Sequence, residues 1–248
     1  MRVKLKVAYE GTLYKGWQSQ TYTPHTIQHN LEQSLSNVCN HNVIVHASGR
    51  TDVGVHALGQ VVHFDTTAKR SMHALLSGCN HYLPTTIRVL DAIQVADDFH
   101  ARYNAKSKTY QYWITMDLHP LMVDRAMYCP ELNVSLMREA CTYVVGQHDF
   151  GSFVGSGSIK YHTTVRNCMQ CDIDTTICPI TGCQLVVLSI TAKGFLYKMV
   201  RLIVGLMVRI AKEELPIDAF RSAIITIDRK YTTLLAPACG LYLATVEY

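Results

Sequence analysis

The chain has 248 residues, of which 48% are hydrophobic and 17% charged, and its formal net charge is +4. This length allows one large domain or two small ones with buried cores, and the composition excludes an intrinsically disordered chain. The weak positive charge is compatible with a nucleic-acid partner, but it is equally compatible with plain solubility.

No export or membrane-spanning signal stands out in the sequence. The first apolar residues alternate with charges, and the longest apolar stretch, from Met199 to Ile210, is interrupted by Arg201 and Arg209 and is too short for a bilayer. We therefore expect a cytoplasmic protein without membrane contact. The nine cysteines are irregularly spaced, which favours reduced and mostly buried thiols.

The first half of the chain is predicted to follow the order β-α-β-β-α-β. Val3, Leu5 and Val7 alternate with basic residues, which indicates a strand with one wet basic face. Thr26 is expected to cap a helix with an apolar stripe. The remaining predicted elements are strands at 43–45 and 60–64, a short helix at 72–79 and a strand at 87–95.

The second half repeats this order of elements, although not the sequence itself. A strand is predicted at 108–115, and Ser135 is expected to start a helix. A strand pair at 168–173 and 184–191, with 175–182 as its loop, precedes a long helix at 195–212. Pro216 is expected in the first turn of another helix, and a strand at 241–247 closes the chain. Two such halves, residues 1–100 and 101–248, predict an α+β fold of two ferredoxin-like units with largely antiparallel sheets.

A glycine- and serine-rich segment, Gly151 to Gly157, is predicted to be a surface loop. No Gly-Lys-Ser/Thr follows, so the segment is not a phosphate-binding P-loop. A mobile surface loop is the simpler interpretation, and a loop that contacts nucleic acid is the alternative.

The segment from Ala47 to Ala57 concentrates polar chemistry between two predicted strands. It holds Arg50, Asp52, His56 and two glycines, and glycines allow tight backbone conformations that present a side chain in a cleft. On composition alone, a turn in which the aspartate caps its own backbone is the favoured interpretation, because Asp and Gly are common in turns.

Residues 49–64 (GRTDVGVHALGQVVHF) resemble the catalytic motif of the TruA family of tRNA pseudouridine synthases. Further resembling blocks follow in the family's order along almost the whole chain. They are 9–12 (YEGT) with 16–18 (GWQ), 99–102 (FHAR) with 108–112 (KTYQY), 146–150 (GQHDF) with 164–166 (TVR), 195–201 (FLYKMVR) and 236–243 (APACGLYL). One tetrapeptide would be weak evidence, whereas six ordered blocks are specific.

The resemblance implies a reaction and a partner. A uridine at position 38, 39 or 40 in the anticodon stem-loop of tRNA has its N-glycosidic bond broken, and the uracil is rotated and rejoined through C5. The resemblance also implies a homodimer, no metal or organic cofactor, an active-site cleft between the two halves, and Asp52 in the first half as the catalytic carboxylate.

The chemistry agrees with these residue types. A stacked uracil must first be extruded, at a cost of roughly a few kcal/mol. An ionised Asp52 can act as a nucleophile at C1′ or C6 or as a base at C2′, and the sequence leaves these routes open.

The resemblance assigns two further catalytic residues. Arg201 lies in a mostly apolar helix, where an arginine is expensive unless it is paired. The family's matching arginine pairs with the catalytic carboxylate. Gly205, one turn on, leaves room beside it. The family's active-site tyrosine matches Tyr110, whose ring can stack on the base and whose hydroxyl can transfer a proton, while Tyr112 is expected to be a half-buried structural tyrosine.

Three residues of the motif are predicted to contact RNA. Arg50 is expected to face the same side as Asp52 and to contact RNA, by a phosphate contact or by taking the space of the extruded base. His56 and Gln60 are the other two, although for His56 a structural hydrogen-bonding role is at least as reasonable.

Two other classes of protein were weighed. A zinc protein would use Cys168, Cys171, Cys178 and Cys183, but the second pair has the spacing Cys-x4-Cys and the first pair falls on opposite faces of the predicted strand, so no metal site is expected. A non-catalytic RNA-binding module would have no need of a buried Asp–Arg pair. A family member that acts on other uridines or other RNAs is a third alternative.

Overall fold

A computed structural model of the chain describes residues 1–157 and 161–248. The contacts within the chain divide it into two compact units, Met1–Lys106 with Tyr242–Tyr248, and Ser107–Leu241. These units differ from a simple division near residue 100, because the C-terminal strand lies in the first unit. The backbone N–H of Lys106 also donates to the carbonyl of Glu247 (2.8 Å), which ties the end of the first segment to that strand.

The first unit contains the predicted β-α-β-β-α-β order. Its elements are β1 (Arg2–Tyr9), α1 (Ile27–Cys39), β2 (His46–Ala47), β3 (His56–Asp65), α2 (Met72–Tyr82) and β4 (Ile87–Val95). Strand β1 lies between β4 and β3 and is antiparallel to both. The far edge of β3 pairs with β2 at one end and, in parallel, with the C-terminal strand β10 (Leu241–Glu247) at the other.

The core of the first unit lies between this sheet and the two helices. Val3, Leu5 and Val7 are buried, as their alternation predicts, and the Thr26 hydroxyl caps α1 by accepting from His29 N–H (3.3 Å). The opposite, basic face of β1 is partly covered, because Arg2 donates to Asp65 (2.7 Å) and to the carbonyl of Phe99 (2.9 Å).

One predicted strand of this unit is wrong. Residues 43–45 form no strand, and the two-residue strand β2 follows them instead. Side chains of α1 occupy the backbone groups that a strand would pair: Ser36 Oγ accepts from Val43 N–H (2.9 Å), and the Glu32 carboxylate accepts from Val45 N–H (3.0 Å). The two valines are nonetheless buried, so the apolar pattern located core residues but not their pairing.

The described part of the second unit contains four antiparallel strands, one short additional strand and three α-helices. Its elements are β5 (Ser107–Thr115), β6 (Met127–Tyr128), α3 (Val134–Val144), β7 (Gly146–Asp149), β8 (Val165–Ile177), β9 (Gln184–Ala192), α4 (Met199–Ala211) and α5 (Asp218–Thr226). The strand order is β5-β9-β8-β7, and the short β6 pairs in parallel with β5. Helix α3 packs against α4 and against β8.

Two boundaries in this unit differ from the sequence prediction. Helix α4 begins at Met199 rather than 195, because Lys198 adopts a left-handed conformation (φ 60°) that interrupts the helix. Strand β8 extends to Ile177, so residues 175–177 belong to the strand rather than to its loop. The α+β class and the mostly antiparallel pairing are confirmed.

Within the two ranges that the structure covers, no helix has the length and apolar character needed to span a membrane.

Candidate active site

Asp52 lies on a short turn that precedes β3. The N–H of Val55 donates to the Asp52 carbonyl (3.2 Å), and Gly54 has a positive φ of 78° that glycine adopts without strain. Thr51 and Val55 are buried, whereas Asp52 itself is half-buried. Thr51 and Val55 therefore anchor the turn inside the unit on either side of the half-buried Asp52.

Two glycines of the N-terminal block let the chain pack directly against this turn. A Cβ on Gly11 would lie 2.0 Å from the carbonyl oxygen of Val55, and a Cβ on Gly16 would lie 3.0 Å from that of Thr51. Gly16 also has a φ of 86°. The N–H of Trp17 donates to the Thr51 carbonyl (3.0 Å), so any side chain at either glycine would push this segment away from the turn.

A set of buried side chains, which we call the polar bracket, holds the other side of the turn. It consists of Tyr9, Ser48, Thr51 and Gln60. The Tyr9 hydroxyl lies 2.8 Å from Thr51 Oγ1. The Gln60 amide accepts from the Ser48 hydroxyl (2.7 Å), donates to the carbonyl of Gly49 (2.7 Å) and reaches towards the Tyr9 hydroxyl (3.5 Å). Burial raises the pKa of Tyr9 to about 12, so its hydroxyl stays protonated.

The three residues predicted to contact RNA have different environments. Arg50 is exposed. Gln60 is fully buried within the polar bracket. His56 is also buried: its Nδ1 accepts from Gly11 N–H (3.1 Å), and its ring stacks on Tyr242 with centroids 4.7 Å apart. The contacts of Gln60 and His56 support a role in shaping the turn, and direct RNA contact by any of the three stays a prediction.

Tyr110 and Tyr112 lie on the same strand of the second unit but differ in exposure. Tyr110 is half-buried, and its ring meets the edge of Phe195 with centroids 5.1 Å apart. Tyr112 is fully buried rather than half-buried, and its hydroxyl donates to the carbonyl of Pro237 (2.8 Å). Burial raises the pKa of Tyr112 well above its usual value. Of the two, only Tyr110 has a partly exposed ring, as a stacking role requires.

Arg201 lies in the first turn of α4 and is half-buried. Its Nε donates to the carbonyl of Ala236 (2.7 Å), and the N–H of Ala236 donates back to the Arg201 carbonyl (3.2 Å). This reciprocal pair fixes the base of the side chain against the segment that leads to β10. The backbone of this segment therefore contributes to orienting the guanidinium.

The space that Gly205 leaves beside Arg201 is occupied by backbone. A Cβ on Gly205 would lie 1.9 Å from the carbonyl oxygen of Leu234. At the other end of the same segment, a Cβ on Gly240 would meet the Tyr112 ring at 2.7 Å. The segment 234–240, which we call the strap, is therefore seated between α4 and β5 by two glycines. It also carries residues 236–240 of the C-terminal block of the family resemblance.

The Gly151–Gly157 segment is anchored at its start. Residues Gly151–Phe153 form a single 3-10 turn, in which Ser152 and Phe153 are buried. The Ser152 hydroxyl donates to the Ala223 carbonyl (2.8 Å), and Thr232 Oγ1 donates to the Ser152 carbonyl (2.6 Å). The interpretation as a wholly mobile surface loop is therefore wrong for these residues, because the phenylalanine belongs to the core.

The cysteines are all free, and most are buried, as expected. Cys168 and Cys171 were predicted to lie on opposite faces of their strand, but both are buried, because a bulge between Cys168 and Gln170 shifts the register by one residue. Cys178 and Cys183 belong to a different cluster, packed with Met122 and Leu185. Among residues 1–157 and 161–248, no three His, Cys, Asp or Glu side chains are grouped so as to hold a metal ion.

Sequence reasoning named the chemistry-bearing residues but missed their supports. Tyr9, Gly11 and Gly16 were recognised as part of a block without a role. The available signal was local: two glycines and a tyrosine at the end of a strand, in a segment with no predicted element of its own. Only the tertiary pairing of β1 with β3 shows that this segment braces the Asp52 turn.

Comparison with known proteins identifies a family and relatives of this chain. A family model described as tRNA pseudouridine synthase matches residues 6–104 and 140–248. A curated relative named tRNA pseudouridine synthase A, from Coxiella burnetii (strain Dugway 5J108-111), is 39% identical to this chain over 100% of this chain and 93% of the relative. Another in Anaplasma phagocytophilum (strain HZ) is 38% identical over the full length of both chains.

A third relative of the same name, in Vibrio campbellii, is 38% identical over 100% of this chain and 92% of its own length. The matches to these three relatives thus include the Asp52 turn, the Tyr110 strand and the Arg201 helix with its strap. The chain belongs to the tRNA pseudouridine synthase family, whose members are isomerases.

Proposed function

We propose that this chain converts uridine to pseudouridine at positions 38, 39 and 40 in the anticodon stem-loop of tRNA, with Asp52 as the catalytic carboxylate. The observation that carries the proposal is the half-buried Asp52 on a turn in which Thr51 and Val55 are buried and hydrogen-bonded. A carboxylate that reacts with a bound nucleoside needs such a fixed position, because a misplacement of about 1 Å can cost a factor of roughly 10² in rate.

The target base must leave the helix before it reaches any carboxylate. Extrusion of a stacked uracil costs roughly a few kcal/mol, and an exposed cation near the site helps to offset this cost by binding the RNA backbone. The exposed Arg50, two residues before Asp52, suits this role. His56 and Gln60 would then affect RNA binding through the shape of the turn that carries Arg50.

Tyr110 and Arg201 complete the proposed chemistry. The half-buried ring of Tyr110 suits stacking on the extruded uracil, and its hydroxyl suits proton transfer as the C5 proton is lost. Arg201 would keep the Asp52 carboxylate ionised, because an opposite charge favours the charged form. The meeting of these two residues with Asp52 at one uridine, in a cleft between the halves, is part of the proposal and rests on the family resemblance.

The proposal extends to assembly and location. We propose a cytoplasmic homodimer that needs no metal or organic cofactor. Light scattering should give about twice the chain mass of 27.9 kDa, whereas a stable monomer at working concentration would contradict the dimer. Prolonged dialysis against a chelator should leave turnover unchanged.

The decisive experiment is Asp52→Asn, which keeps the side-chain size and removes the charge. Pseudouridine formation should disappear even with enzyme in excess over tRNA. Binding of tRNA should persist or tighten slightly, because one negative charge near a polyanion is gone. If Asp52 only caps its own turn, asparagine would replace it with little loss of activity. A non-catalytic RNA-binding module predicts that neither protein modifies RNA.

The positions modified are tested separately. Pseudouridine mapping in tRNA from cells with and without the protein should show losses at positions 38, 39 and 40. Loss at other uridines would leave Asp52 as the catalytic residue but replace the proposed substrate sites.

A further inference from the structure

We propose that the polar bracket positions the Asp52 carboxylate for reaction, an inference that rests on the proposed catalytic role of Asp52. Its members hold the backbone on both sides of Arg50. Gln60 binds Ser48 and the carbonyl of Gly49, and Tyr9 binds Thr51, the residue immediately before Asp52. The carboxylate is therefore one residue away from a side chain that is itself hydrogen-bonded.

The supports of the bracket come from the rigid part of the first unit. Tyr9 ends β1 and Gln60 lies within β3, and these strands are paired along their length. The register of that pairing shifts between Val7 and Tyr9. Bulges of this kind re-aim side chains and occur preferentially beside active sites. Here the shift lies directly before the side chain that reaches Thr51.

The bracket is not the arrangement that packing alone would favour. Tyr9, Ser48, Thr51 and Gln60 are all buried, and burying polar groups is costly unless their hydrogen bonds are made. A network in which these bonds are made fixes one geometry, whereas an apolar cluster of equal volume tolerates several. Such a network therefore suits a position at which orientation affects rate.

The test compares two tyrosine–threonine pairs of the same unit. Tyr9→Phe removes the bond to Thr51, and Tyr14→Phe removes a bond to Thr86 (2.6 Å) that does not reach the turn. Single-turnover pseudouridine formation with saturating enzyme should fall about 10- to 100-fold for Tyr9→Phe, with the tRNA Kd unchanged. Tyr14→Phe should react at the wild-type rate. Equal rates in the two variants would overturn the proposal.

Thr51 supplies a second, independent test. Thr51→Val keeps the side-chain shape and loses the hydroxyl, whereas Thr51→Ser keeps the hydroxyl and loses a methyl group. Serine should restore most of the rate that valine loses, and Tyr9→Phe combined with Thr51→Val should be no slower than the slower single variant. Equal defects for valine and serine would indicate that only packing matters.

Asp52→Asn, measured in parallel, separates the two proposals. If this variant is inactive while Tyr9→Phe and Thr51→Val react at the wild-type rate, the bracket has no positioning role and the proposed function stands. If Asp52→Asn retains turnover, the proposed function fails, and the positioning role fails with it.

Discussion

The Asp52 turn and the Arg201 helix are held in place by different physical means. The turn is bounded by buried side-chain hydrogen bonds, among them the 2.8 Å contact between the Tyr9 and Thr51 hydroxyls. Helix α4, which carries Arg201, is held by close backbone packing, because Gly205 admits the strap to within van der Waals contact of it. A hydrogen-bonded support responds to loss of a polar atom, whereas a packed support responds to added volume.

The largest expected effect is the loss of activity in Arg201→Met. Methionine keeps the approximate shape but removes both the charge and the Nε bond to Ala236, and loss of one electrostatic stabiliser typically costs about 10²- to 10³-fold in rate. Pseudouridine formation should fall by at least that factor. Arg209→Met, on the same helix with its side chain bonded to Thr233 (3.2 Å), is the matched control and should remain active.

The free energy of unfolding tests whether Arg201 pairs with Asp52. If Arg201 compensates the carboxylate, urea unfolding of Arg201→Met should show a loss of about 3 kcal/mol, part of which Asp52→Asn recovers in the double variant. Simple addition of the two single losses would show that the residues are not partners.

A stability test of the packed support is Gly205→Ala. In an exposed helix this change stabilises by roughly 1 kcal/mol, but here the new Cβ meets the Leu234 carbonyl, and overpacking against backbone costs about 3 kcal/mol. Gly78→Ala in α2 is the control, because the atoms nearest its Cβ belong to the Val38 side chain, at 3.0 Å, rather than to backbone. Urea unfolding should show a clear loss for Gly205→Ala and a smaller change for Gly78→Ala. Equal changes would mean that the strap is not tightly seated.

These contrasts also indicate how far the sequence could predict the molecule. Alternation located the buried face of β1, and the hydroxyl of Thr26 marked the start of α1, because both signals depend on neighbouring residues alone. The resemblance named the Asp52 turn, although its buried supports required the pairing of β1 with β3 to be known.

The failures have a common physical cause. The backbone of Val43 and Val45 is satisfied by side chains of α1, and the bulge in β8 brings Cys168 and Cys171 to the same face. Neither event leaves a trace in local periodicity. Side chains that take over backbone hydrogen bonds, and one-residue shifts in register, depend on tertiary neighbours and so limit what a single sequence can predict.

The free energy of unfolding is expected to depend on pH through a histidine of the first unit, which also carries the Asp52 turn. His63 on β3 is buried, and its Nδ1 accepts from Ala101 N–H (3.1 Å). Burial and the nearby His100, His46 and Arg2 lower its pKa to about 4, while Asp65 opposes this shift. In the unfolded chain a histidine has a pKa of ~6.5, so between pH 4 and ~6.5 the unfolded chain binds more protons than the folded chain. The stability that neutral His63 contributes is therefore present above pH ~6.5 and is lost as the pH falls towards 4.

At about 1.4 kcal/mol per pKa unit, this histidine destabilises the acidified protein by about 2 to 3 kcal/mol. His63→Asn offers a neutral acceptor in place of Nδ1 and should flatten the dependence of unfolding free energy on pH between 6.5 and 4. His73→Asn, at an exposed position, is the control and should leave that slope unchanged. An unchanged slope in His63→Asn would assign the acid sensitivity to other groups.

The smallest effect is expected from Tyr112→Phe, at the polar contact by which the strap meets β5. The variant keeps the buried ring and leaves the Pro237 carbonyl without its 2.8 Å donor, and an unsatisfied buried acceptor costs about 1 to 2 kcal/mol. Urea unfolding should show that loss, while pseudouridine formation stays within about threefold of wild type, because packing at Gly205 and Gly240 still seats the strap. Tyr110→Phe on the same strand should instead give a marked fall in turnover at normal tRNA binding. If Tyr112→Phe slows turnover as much as Tyr110→Phe does, the strap depends on this one hydrogen bond, and the distinction between a packed and a hydrogen-bonded support does not hold.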